Sequence, residues 1–72
     1  MNPIASIEIH LNGEPAEVPA DATVATLVTA RGLEPKQVAV EVNKLIVPRA
    51  QHAEAQLVAG DRVEIVTLVG GG

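Results

Sequence analysis

A chain of 72 residues that contains no cysteine must hold itself together by side-chain packing alone. Domains this small bury little surface, and most of them add disulfides or a structural metal. Neither staple is at hand here. His10 and His52 are the only histidines, and they lack the spacing and carboxylate partners of a metal site, so both are expected as ordinary surface residues. Every large apolar residue therefore counts toward a single core. The supply is adequate, since 47% of the chain is apolar, almost all of it Val, Ile, Leu and Ala. Phe, Tyr and Trp are absent, which removes the stacking platforms of single-stranded nucleic-acid binders. Nine acidic residues against five basic ones give a formal charge of −4, which repels phosphate backbones. A nucleic-acid partner is thereby excluded. No stretch approaches membrane-spanning length, and Met1-Asn2-Pro3-Ile4-Ala5-Ser6 has no basic segment followed by an apolar run. The expected setting is the cytoplasm, without a membrane partner, and the free chain is expected to be a monomer.

Local patterning gives the order of elements. From Ile4 to Leu11 the apolar residues Ile7, Ile9 and Leu11 alternate with Ser6, Glu8 and His10, the period of a half-buried strand. Asn12-Gly13 ends it, and a pair that tolerates positive φ after an alternating run predicts a hairpin. The return strand, Glu14 to Pro19, carries Pro15 and Pro19, which lack a ladder N–H and assign it to a sheet edge. Val24, Leu27, Val28 and Arg31 then share one helical face, with Thr23 as N-cap and Gly32 just past the C-terminus. Thr26 and Thr29 lower the intrinsic propensity of this helix, so packing has to hold it. Val38, Val40 and Val42 alternate into a third strand, Asn43-Lys44 turns the chain into Leu45-Ile46-Val47, and Pro48 stops that short fourth strand. Residues 49 to 59 show no period and read as a loop, with one helical turn around Ala50 to Ala55. Gly60-Asp61 turns the chain into a last strand, Arg62 to Val69, in which Asp61 serves the turn. Strand, strand, helix, strand, strand, strand predicts an α+β fold: a mixed five-stranded sheet with one main helix across one face. A β-grasp satisfies that order, with the first and last strands parallel and central. The division is a β-grasp domain over residues 1–69 and a flexible glycine tail over 70–72.

Gly70, Gly71 and Gly72 are the most informative residues. Taken alone they fit a frayed end, the start of a linker or a functional tail. Their place directly after an apolar strand favours function, because a segment without Cβ atoms can thread a narrow channel. Fully extended, the six residues from Thr67 to Gly72 reach roughly 20 Å, enough to enter a neighbouring active site.

Several stretches together make the chain resemble the ThiS/MoaD ubiquitin-like family. They are Asn12-Gly13, Thr23-Val24, Val40-Glu41-Val42-Asn43, Ile46-Val47-Pro48-Arg49, Gly60-Asp61-Arg62-Val63-Glu64-Ile65 and the glycine tail. Each is short, but in this order they span nearly the whole chain. The resemblance implies a protein substrate and not an enzyme: a sulfur carrier of thiamin (thiazole) biosynthesis with no cofactor of its own. It further implies a ThiF-like enzyme that adenylates the carboxylate of Gly72, with Gly71 completing a Gly-Gly pair and Gly70 standing as an extra glycine. A cysteine desulfurase or other sulfur donor would convert the adenylate to a thiocarboxylate, and the thiazole synthase ThiG would receive the sulfur. Two alternatives remain open at this stage. One is the small subunit of molybdopterin synthase, which resembles a tail of Phe-Pro-Pro-Val-Ser/Thr-Gly-Gly; here Ile65-Val66-Thr67-Leu68-Val69-Gly70 stands in its place. The other is a ubiquitin-type modifier or interaction module, because one fold serves many functions. Val66 and Leu68 share a strand face with Arg62 and Glu64, so they are expected either as an exposed docking patch or as part of a strand covered on both sides. Arg49 is expected as a surface turn residue.

Overall fold

A computed structural model of the chain describes residues 5–68. Five strands and one α-helix follow in the order β1 (Ser6–Leu11), β2 (Glu14–Pro19), α1 (Val24–Ala30), β3 (Val38–Val42), β4 (Leu45–Val47) and β5 (Arg62–Thr67). Single 3₁₀ turns stand at Pro35–Gln37 and Arg49–Gln51. The sheet order is β2-β1-β5-β3-β4. β1 runs parallel to β5, and every other pairing is antiparallel. This is the β-grasp arrangement, with β5 at the centre and the proline-bearing β2 at one edge.

Alternation along the strands sorts the side chains as expected. Ile9 and Leu11 of β1, Val18 of β2, Val38 and Val40 of β3, and Val63 and Ile65 of β5 point to one face. There they meet Val24, Leu27 and Val28 of α1, all of them buried. Among the described residues no helix lies over the opposite sheet face. At about 25 cal/mol per Å² of apolar surface, a core built only from aliphatic side chains is the main favourable term available to a chain without staples.

The helix shows why seven residues hold as α1. Thr23 accepts a hydrogen bond from Thr26 N at 3.2 Å, and Thr26 Oγ1 accepts one from Thr23 N at 3.3 Å, a capping box. Thr26, which weakens helix propensity, therefore contributes to stability as a cap. At the other end Gly32 has φ +74°, Leu33 N donates to Val28 O and Gly32 N donates to Thr29 O. These are the two bonds of a Schellman motif, with Arg31 as the C-cap residue.

One local expectation is met and two are corrected. The helical turn expected around Ala50 to Ala55 is a single 3₁₀ turn at Arg49–Gln51. The rest of that loop is not loose: Ala55 O accepts from Val24 N and His52 O accepts from Ala25 N, both at 2.9 Å. The loop therefore also satisfies the first two free N–H groups of α1 with its carbonyls. It also sends Leu57 into the core, 2% exposed. Second, β5 ends at Thr67 and not at Val69; Leu68 N still donates to Gln37 O at 2.7 Å, while Val69 lies outside the described residues. Third, His52 is not a surface residue. It is 4% exposed, with Nε2 3.2 Å from Val47 O, because it plugs the space between β4 and the loop that caps α1. His10 is half-buried on the helix-free face.

Candidate functional site

The strand that leads toward the glycines is the central strand of the sheet. β5 is paired on both sides, and the turns that follow its neighbours β1 and β3 brace it further. Asn12 sits at φ +50° in the β1–β2 turn, and its side chain acts as an additional peptide group. Its Oδ1 accepts from Ile65 N at 2.9 Å and its Nδ2 donates to Ile65 O at 3.4 Å. Asn12 N also donates to Val63 O. The parallel ladder between β1 and β5 thus continues past the end of β1. Asn43, at φ +53° in the β3–β4 turn, does the same from the other side: its Oδ1 accepts from Arg62 N at 3.0 Å. Its Nδ2 donates to Asp61 Oδ1 at 3.0 Å, and Asp61 Oδ2 accepts from Val58 N at 2.9 Å.

Asp61 is 7% exposed, so the role read for it in the turn is borne out but incomplete. It is the buried hub joining the β3–β4 turn, the loop at Val58 and the start of β5. Buried carboxylates are tolerated where their lone pairs are occupied, as here. In sequence the two asparagines read only as turn formers. Their side-chain partners lie 53 and 18–19 residues away, and only positive φ was legible locally.

On the helix-free face β5 changes character along its length. Arg62 and Glu64 come first, then Val66 and Leu68, which are 57% and 52% exposed. The covered-strand alternative for these two is thereby set aside. Val66 lies opposite Ala39, and Glu64 lies opposite Glu41, which in turn pairs with the exposed Ile46 of β4. Arg49 is exposed, as expected for a surface turn residue. Gly70, Gly71 and Gly72 lie outside the described residues. Among the described residues, no group of three or more His, Asp and Glu side chains could hold a metal ion, and no helix is long and apolar enough to cross a membrane.

Comparison with known proteins bears on what this framework supports. The ThiS family model matches residues 9–72. A thiazole synthase from Magnetococcus marinus is 41% identical over 66 residues, 92% of this chain and 20% of that protein. The chain spans about a fifth of the length of the thiazole synthases it matches. The sulfur carrier protein ThiS of Bacillus subtilis is 38% identical over 65 residues, covering 89% of this chain and 98% of that protein. Among solved structures, the crystal structure of the thiamine biosynthesis protein (ThiS) of Geobacter metallireducens superposes with a TM-score of 0.78 at 28% identity. That match covers 92% of this chain and 100% of the other.

Proposed function

The chain belongs to the ThiS family, and from that premise we propose that it is a sulfur carrier of thiamin biosynthesis whose reactive group is the carboxylate of Gly72. A ThiF-like enzyme brings ATP against that carboxylate, which attacks the α-phosphorus and releases pyrophosphate. A desulfurase takes sulfur from cysteine as a persulfide, whose terminal sulfur attacks the acyl adenylate and displaces AMP; a thiol then reduces the S–S bond of the acyl disulfide, leaving a thiocarboxylate. A thiazole synthase of the ThiG type takes the sulfur. The chain is the substrate of these steps and catalyses none of them. Residues 1–69 are the body that partners recognise, and residues 70–72 are the segment that enters their active sites.

The observation that supports this best is the family match running to residue 72, through Gly70, Gly71 and Gly72, beyond the central strand of the sheet. Four residues separate Leu68 from the end of Gly72, a span of at most about 13–14 Å when extended. With Ile65 held by Asn12, Thr67 paired with Val38 of β3 and Leu68 N bonded to Gln37 O, that length defines how close the body must dock to bound ATP. Exposed Val66 and Leu68 flank this exit and serve as docking contacts. The matches to thiazole synthases, of which a stretch like this chain makes up a fifth, support such a synthase as the receiving partner.

Incubation with ATP, a ThiF-like enzyme, a cysteine desulfurase and cysteine is expected to exchange one oxygen of the Gly72 carboxylate for sulfur, read by intact-protein mass spectrometry. Deleting Gly71 and Gly72, or adding one bulky residue after Gly72, is expected to abolish the exchange and leave the fold unchanged. A folded wild-type chain that binds these enzymes and never gains sulfur overturns the proposal.

A further inference from the structure

The chain has three asparagines, and they differ in the residue that follows. Asn2 precedes Pro3, which has no backbone N–H; Asn43 precedes Lys44; Asn12 precedes Gly13. The backbone nitrogen of the next residue can attack a side-chain amide, and a neighbour without a Cβ obstructs that approach least. Around Asn12 the structure both invites this attack and restrains it. Asn12 and Gly13 are exposed in the β1–β2 turn, so water reaches both. A Cβ added at Gly13 would meet nothing within 4 Å, and among the described residues Gly13 N donates no hydrogen bond. The nucleophile is therefore unencumbered. The electrophile is not, because both polar atoms of the carboxamide are spent on β5: Oδ1 accepts from Ile65 N at 2.9 Å and Nδ2 donates to Ile65 O at 3.4 Å. The side chain must leave Ile65 before its carbon can turn toward Gly13 N.

We propose that Asn12 is a deamidation site of this chain, and that its pairing with β5 gates the reaction. Gly13 N, losing its proton to water, bonds to Cγ of Asn12. The Cγ–Nδ2 bond breaks, and the nitrogen leaves as ammonia with a proton from water. Water then opens the resulting cyclic imide at either carbonyl, giving aspartate or isoaspartate; the net change is one water consumed and one ammonia released. Either product undoes the join to β5. Aspartate keeps an acceptor for Ile65 N but turns a carboxylate oxygen, in place of the Nδ2 donor, toward Ile65 O. Isoaspartate also routes the main chain through the side-chain carbon, lengthening a two-residue turn whose φ values are +50° and +85°. Opening at Ile65 permits the attack, and the product favours that opening. The modification thus loosens the strand that leads to the glycines, and it does so whether or not the carrier reading holds.

The wild-type chain is incubated in mildly alkaline buffer along a urea series that runs from fully folded to fully unfolded. Peptide mass mapping follows Asn12 and Asn43 for the mass gain of an NH₂-to-OH exchange, an isoaspartyl methyltransferase scores isoaspartate, and hydrogen exchange follows the Ile65 amide. In the unfolded chain Asn12 is expected to convert several-fold faster than Asn43, whose neighbour Lys44 carries a side chain. In the folded chain Asn12 is expected to convert about tenfold or more slowly than in the unfolded one, the scale set by two hydrogen bonds that must open first. Below the unfolding transition its conversion should rise in step with exchange at Ile65. The isolated isoaspartyl form should exchange the Ile65 amide about fivefold or more faster than the unmodified chain. Equal rates in folded and unfolded chain, or conversion that rises without exchange at Ile65, would show that β5 does not gate the reaction and would overturn the proposal. So would an Asn12 no faster than Asn43 in the unfolded chain, or an isoaspartyl form in which Ile65 stays protected.

Discussion

Replacing Asn43 by alanine tests how the central strand is held at its start. The side chain makes two hydrogen bonds, from its Nδ2 to Asp61 Oδ1 and to its Oδ1 from Arg62 N, each at 3.0 Å. At about 1 kcal/mol net per bond, their loss costs about 2 kcal/mol. Alanine must also adopt φ +53°, a left-handed conformation that costs an L-residue with a Cβ roughly 1–2 kcal/mol. The sum is about 3 kcal/mol, against a total stability of roughly 4–11 kcal/mol for a domain of this size. Asn43→Gly removes the same bonds but adopts positive φ freely, so it is expected to cost about 2 kcal/mol. Equilibrium urea unfolding is the assay, with both variants keeping the wild-type slope and shifting the midpoint down. The thermal midpoint of Asn43→Ala should fall by about 12–24 °C, from about 4–8 °C per kcal/mol in a domain of this length. A cost below about 1 kcal/mol for both variants would show that the bonds to Asp61 and Arg62 do not brace β5. Equal costs for the two would show that the backbone conformation at residue 43 is not a constraint.

Leu57→Ala is expected to cost about 2–5 kcal/mol in the same assay, because the side chain is 2% exposed and its loss leaves a cavity under the loop. Thr23→Ala removes the N-cap acceptor for Thr26 N and should cost about 1 kcal/mol. Leu68→Asp should leave the urea midpoint within about 0.5 kcal/mol of wild type, since the residue is 52% exposed, yet weaken binding to the adenylating enzyme or the synthase; intact binding to both would remove Leu68 from the docking surface.

What the sequence made legible was whatever is decided between near neighbours. The alternation of Val38, Val40 and Val42, the positive-φ pair Asn12-Gly13 and the sequence Thr23 to Gly32 each determine local geometry within a few residues, and the structure follows them. The prolines of β2 placed it at an edge for a reason contained in the residue itself. What escaped were decisions made across the fold. The loop from His52 to Leu57 has no period because its conformation is set by what it does for α1, supplying carbonyls to Val24 N and Ala25 N and a leucine to the core. His52 looked like a surface residue because nothing nearby in sequence shows that Val47 will face it. Asn12 and Asn43 were recognised as turn formers, while their work as extra rungs beside β5 depends on a strand tens of residues away. The exposure of Val66 and Leu68 was open in sequence for the same reason: alternation assigns a face, and only the placement of the helix decides which face is covered.

The central position of β5 also governs when the molecule can come into being. During synthesis β1, β2, α1, β3 and β4 all leave the ribosome before β5 does, yet β1 and β3 are not neighbours and meet only through the strand that comes after them. Until then the β1–β2 and β3–β4 segments have no common sheet to join, and the core lacks Val63 and Ile65. A product truncated before residue 62 is left with two unpaired strand edges and an open core, the state that proteases and chaperones recognise. The native state can therefore be reached only by chains translated through β5, so folding itself discriminates against copies cut short before the segment that leads to the glycines.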